Sequence, residues 1–175
     1  MTKAMKYENL RMTGDNDKVR YVLRKDGDRP LVVVGLNPST ANEAKADATM
    51  TRVMGIAERN GFDSFIMLNL YPQRTTDPAG LDRELNDSLH QENLRQIKEA
   101  LKDVSVPTVL LAFGNNIGLR PYLKTCLRDI VAAISDKCPR YVQAGTPTKW
   151  GNPRHPLYAG YPELTDFDID GYLNK

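Results

Sequence analysis

A chain of 175 residues can bury one good core but not two sizeable ones, so a single domain over residues 1–175 is expected. Charged residues make up 26% and hydrophobic residues 41% of it, a composition that excludes a disordered or membrane-embedded chain. The net charge of +2 permits a polyanionic partner such as nucleic acid without arguing for one.

The opening MTKAMKYENLRM is polar, and no segment reaches the roughly eighteen consecutive apolar residues of a membrane span. A cytoplasmic location and no membrane partner are expected. Arg20–Arg24 (RYVLR) reads as a short strand, and the turn-rich KDGDRP follows it. Leu31–Leu36 (LVVVGL) is a continuous apolar run of the kind found in strands buried on both faces. Met50, Val53, Met54 and Ala57 recur at helical spacing, and Asn60-Gly61 marks the stop. Ser64–Tyr71 (SFIMLNLY) is a second buried strand, followed by the breaker-rich loop Pro72–Gly80. Leu94, Ile97, Leu101 and Val104 predict a second helix, and His90 falls in a polar stretch where exposure is expected. Thr108–Phe113 (TVLLAF) is a third buried strand closing on Gly114. Leu119, Leu123, Leu127, Ile130 and Ile134 then mark a helix whose apolar face also holds Cys126. Arg140–Ala144 (RYVQA) is a further strand. On this reading the core spans residues 20–158, and residues 159–175 form an acidic tail.

The alternation predicts an α/β fold with three layers, doubly wound about a mainly parallel central sheet. Ligands in such folds sit beyond the carboxyl ends of the strands. There the sequence holds residues that the apolar runs do not explain: Gly35, Leu36, Asn37 and Pro38, then Asn69, then Gly114 to Asn116. The last strand leads into Asn152-Pro153-Arg154-His155-Pro156-Leu157-Tyr158. Four loops far apart in sequence should therefore converge on one crevice.

Gly35-Leu36-Asn37-Pro38 resembles the first motif of the uracil-DNA glycosylase superfamily: a glycine, a variable residue, Asp or Asn, then proline. His155-Pro156-Leu157 looks like its second motif, and MLNLYPQR like its strand ending in a base-reading asparagine. LLAFGNN is similar to its third core strand. The sequence also resembles a small bacterial and phage family of uncharacterised function. That family is marked by RYVLR, by LNPSTA with a downstream D-x-T-x-x-R (here Asp47, Thr49 and Arg52), and by RHPLY.

The superfamily resemblance implies a uracil-DNA glycosylase-like fold and a monofunctional glycosylase. Its partner would be substrate DNA carrying a flipped-out uracil or modified pyrimidine, in repair or phage defence. His155 would donate to a base oxygen as charge develops there, and Asn37 would orient water. An amide cannot take the proton of that water, so Asp47 is a further catalytic candidate, with helix capping as its equal alternative. Asn69 would read the base edge, Gly35, Leu36 and Pro38 would shape the base site, and Tyr71 or Phe113 would stack on the base. Ser39, Thr40, Arg74, Thr75, Thr76, Lys149 and Arg154 would hold DNA, with Leu157 and Tyr158 as the wedge. Alternatively, Asn37 to Thr40 form only a turn and Asn69 only satisfies loop backbone. The small-residue-rich loop at residues 39–48 predicts a roomy pocket.

No cofactor is implied. Two cysteines are too few for a four-cysteine zinc site or a thiolate iron–sulfur cluster, so no metal is expected. Asp166, Asp168, Asp170 and Gly171 imitate an EF-hand opening, but the closing Glu would fall beyond Lys175. A monomer is expected. The competing readings are a nucleoside- or nucleotide-directed N-glycosidase and a non-catalytic nucleic-acid-binding module.

Overall fold

The computed structural model describes residues 4–15 and 17–175. Its elements are β1 (Leu10–Asp15), β2 (Val19–Lys25), β3 (Pro30–Gly35), α1 (Ala48–Arg59), β4 (Ser64–Asn69), α2 (Asp87–Leu101), β5 (Thr108–Leu111), α3 (Pro121–Ala133), β6 (Arg140–Ala144), β7 (Leu164–Asp166) and α4 (Ile169–Leu173). They build an α/β structure around a seven-stranded mixed sheet ordered β1-β2-β4-β3-β5-β6-β7. The middle strands β4, β3, β5 and β6 run parallel, while β1, β2 and β7 pair antiparallel at the margins. The expected mainly parallel sheet is thus confined to the centre.

Strand periodicity decides which helix covers which face. Val32 and Val34, Ile66 and Leu68, and Val109 and Leu111 point to the side covered by α2 and α3. Leu31 and Val33, Phe65 and Met67, and Leu110 meet α1 through Met50, Val53, Ile56 and Ala57. Burial on both faces is why these strands read as unbroken apolar runs. Cys126 is fully buried on α3, and burial pushes its thiol up to about 12.

Two expectations are corrected, and one strand is additional. Strand β1 was not expected, because an edge strand with mostly exposed residues carries little apolar signal. Residues 159–175 are no solvated tail: β7 pairs with β6, and Ile169 and Tyr172 of α4 enter the core. Asp168 caps α4 through the Gly171 N–H. His90 is 1% exposed, because Nε2 lies 2.7 Å from Asp129 Oδ2 between α2 and α3. No helix among the described residues is long and apolar enough to cross a membrane.

The chain reverses its direction of winding at β3. It passes to β4 on one side through α1, then to β5 on the other through α2. The loops after β3, β4 and β5 therefore open a crevice above their carboxyl ends.

Candidate active site

A cavity of about 780 Å³ occupies that crevice, within the range of about 300–1,000 Å³ typical of small-molecule sites. Its walls come from Gly35, Leu36, Asn37 and Ser39 after β3; Asp47, Ala48, Thr49 and Met50 at the start of α1; Asn69 at the end of β4; Thr75 and Thr76; Phe113 to Asn116 after β5; and Thr148, Lys149, Arg154, His155, Leu157 and Tyr158. The four loops separated in sequence do converge.

Asn69 is 1% exposed, yet both its Oδ1 and its Nδ2 are buried without a protein partner. Leaving such an amide unmade costs about 1–3 kcal/mol, which is unusual unless a ligand completes it. Gly35 makes the room for it: a Cβ there would lie 2.9 Å from Asn69 Oδ1 and 2.8 Å from Met67 Cε. Beneath the site, Asn93 Nδ2 donates to the backbone carbonyl of Asn69 at 3.0 Å and steadies the strand end.

The orientation of Asn37 is set by its loop. Its Nδ2 faces the carbonyls of Pro38, Gln73 and Thr75 at 3.0, 3.2 and 3.1 Å, which leaves Oδ1 as the free end of the amide. Asp47 is the N-cap of α1, where Oδ1 accepts from Met50 N–H at 2.9 Å, and it also lines the cavity. Capping occupies one oxygen, so the two readings of Asp47 are compatible.

His155 precedes a short 3-10 turn, Pro156–Tyr158, and its Nδ1 accepts from the Leu157 N–H at 3.2 Å. That bond places the neutral ring's proton on Nε2. Burial lowers the imidazole pKa despite the opposing pull of Asp47, so the ring is neutral at physiological pH. Gly114 packs against it with φ of 62°, and a Cβ there would fall 3.1 Å from His155 Cβ. Asn115 Oδ1 accepts from Thr148 Oγ1 at 2.8 Å and Asn152 Nδ2 at 2.9 Å, joining the β5 loop to the loop that carries His155.

Several proposed contacts fall elsewhere. Tyr71 is fully buried away from the cavity, with its hydroxyl donating to Asp82 Oδ2 and accepting from Asn86 N–H, so of these two aromatics Phe113 alone lines the cavity. Arg74 is not free for phosphate: its Nη1 donates to the carbonyls of Ser39 and Ala41. Pro38 is buried behind the wall, where its carbonyl accepts from Thr75 N–H, and Thr40 is exposed outside the cavity. Arg154 lines the rim but donates to Thr146 and Pro147 carbonyls, whereas Lys149 is exposed. Leu157 and Tyr158 are exposed at the mouth.

The RYVLR strand holds a wall residue that sequence reasoning missed. Arg20 is 2% exposed and lines the cavity. Arginine is rarely buried, so nothing local marked it. The D-x-T-x-x-R pattern also acquires a meaning: Asp47 caps α1, Thr49 lines the cavity, and Arg52 Nη1 donates to the carbonyls of Pro156 and Gly160, with its guanidinium 4.6 Å from the Tyr161 ring. One helical turn thus ties the first motif to the last.

No curated protein and no solved structure matches the chain. A family model does match residues 20–157, from the buried arginine of β2 to the leucine at the cavity mouth. That match covers well over half of the sequence, and the chain belongs to the family described as protein of unknown function (DUF1643).

Proposed function

We propose that this chain is a monofunctional DNA glycosylase with a uracil-DNA glycosylase-like fold, hydrolysing the N-glycosidic bond of a flipped-out pyrimidine or modified pyrimidine. The observation that carries the reading is Asn69: a buried amide with donor and acceptor both unpartnered at a cavity wall suits the hydrogen-bonding edge of a base. Water adds to the sugar C1′ as the bond from C1′ to the base nitrogen breaks, and the electron pair leaves with the base. His155 Nε2–H donates to a base oxygen as that charge grows. Asn37 Oδ1 and Asp47 hold the attacking water, and the carboxylate of Asp47 is the group able to take its proton. Phe113 stacks on the base, while Leu157 and Tyr158 fill the gap it leaves in the helix. Exposed Lys149 favours the phosphate backbone at the rim.

The test is incubation with duplexes carrying uracil, mismatched thymine or modified pyrimidines, followed by alkali to cut abasic sites. Strand scission on one substrate, abolished by Asn69→Ala and His155→Ala, is the expected result. Absence of scission across the panel overturns the reading. Arg20 favours one alternative, a nucleotide-directed N-glycosidase, since a cation within the cavity suits a ligand that brings its own negative charge.

A further inference from the structure

Arg20 is a buried cation without a counterion. Its Nη1 donates to the Ala41 carbonyl at 3.0 Å, its Nε has no partner, and no described carboxylate pairs with it. Burial, helped by the neighbouring Arg74, lowers its pKa to about 10, so it remains charged at neutral pH. A lone buried charge is costly, and proteins normally neutralise it with an ion pair. The Asp47 carboxylate acts on it only at a distance, and the Tyr7 phenol, pushed up to about 12 by burial, is neutral at physiological pH. Tyr7 is itself committed through its hydroxyl to the Asn42 carbonyl, and Asp47 to the cap of α1.

We propose that Arg20 is an anion-recognition residue and that the ligand of this cavity carries a carboxylate or phosphate oxygen that meets its guanidinium. Guanidinium offers planar donors suited to such groups, and charge-assisted bonds to it are short and strong. Asn69 ends β4, the strand that pairs with β2, and Arg20 of β2 lines the same cavity, so a ligand reaching Asn69 with its polar edge can extend its anionic group towards Arg20. The anion site needs only the cavity; its attachment to a pyrimidine rests on the function proposed above. An acidic substituent on the base and the phosphate of a free nucleotide would present the same chemistry.

A purely structural role is the competing account, because Arg20 and Arg74 both donate to the Ala41 carbonyl and clamp the loop after β3. Arg74 does not line the cavity, so Arg74→Met serves as the control. Thermal-shift and calorimetric titrations of the full chain would use inorganic phosphate, uracil against 5-carboxyuracil, and uridine against uridine 5′-monophosphate. We expect at least one anionic probe to bind about tenfold or more tightly than its neutral counterpart, with the advantage lost in Arg20→Met and kept in Arg74→Met. Preference for 5-carboxyuracil assigns the charge to the base, and preference for the monophosphate assigns it to a free nucleotide. Stabilisation by phosphate in the wild type and not in Arg20→Met, with uracil and uridine inert, keeps the anion site and removes the pyrimidine. Equal binding of charged and neutral probes with no effect of phosphate overturns the proposal, as does equal loss in both variants.

Discussion

Leu157 N–H donates to His155 Nδ1 at 3.2 Å, so the backbone of the mouth loop holds the imidazole with its proton on Nε2. The same loop presents Leu157 and Tyr158 to solvent. The orientation of the ring and the position of these two side chains are thereby set by one loop.

Burial holds the His155 pKa below its ordinary value of about 6.5, so the folded state resists protonation that the unfolded chain accepts. The sign follows: the stability it contributes is complete above the unfolded value and is lost as pH falls through the lowered folded value. Wild-type Tm should therefore drop more steeply than that of His155→Gln between about pH 7 and pH 5, measured by thermal unfolding at matched ionic strength. Identical slopes would remove the neutral, half-buried imidazole.

Asp47 separates into two roles by substitution. Asp47→Asn keeps a side-chain oxygen for Met50 N–H and should change stability by about 0.5 kcal/mol or less, whereas Asp47→Ala should cost about 1 kcal/mol. If the carboxylate takes the proton of the attacking water, both variants lose about 100-fold or more in rate. Single-turnover kinetics beside urea unfolding would resolve the pair, and full activity in Asp47→Asn would leave capping alone.

Asn69 should display opposed effects on stability and function. Replacing it with Leu removes two unpartnered buried polar atoms and should leave stability unchanged or raise it by about 1 kcal/mol, while base binding disappears. Chemical denaturation with a base-binding titration measures both. A loss above about 2 kcal/mol would mean that the amide is satisfied within the protein.

The C-terminal segment is structural. Tyr172 is 9% exposed, its ring packs against Phe113 with centroids 6.2 Å apart, and its hydroxyl donates to Asn152 Oδ1 at 2.7 Å. Truncation before Phe167 should cost about 4 kcal/mol by exposing the core beside Ile169 and Tyr172. Tyr172→Phe should cost only about 1 kcal/mol, the worth of one hydrogen bond. Equal stability of truncated and intact chains would contradict this packing.

Local sequence pattern reveals the central strands and their alternating helices, because burial on both sheet faces writes itself as LVVVGL, SFIMLNLY and TVLLAF. It also reveals which loops share the crevice, since that follows from where parallel strands end. The remainder depends on long-range packing. Phe113 and Tyr71 both follow apolar strands, but only Phe113 reaches the cavity. His90 occupies a polar stretch and is nonetheless buried, because Asp129 on a different helix meets it. Arg20 reads as an ordinary strand residue, and only the folded loop after β3 encloses it. The edge strand β1 and the terminal β7 and α4 left little trace, since short or solvent-facing elements gain their stability from partners distant in sequence. Local pattern records how much of a segment is buried; which side chain faces which partner is settled by contacts that no local pattern contains.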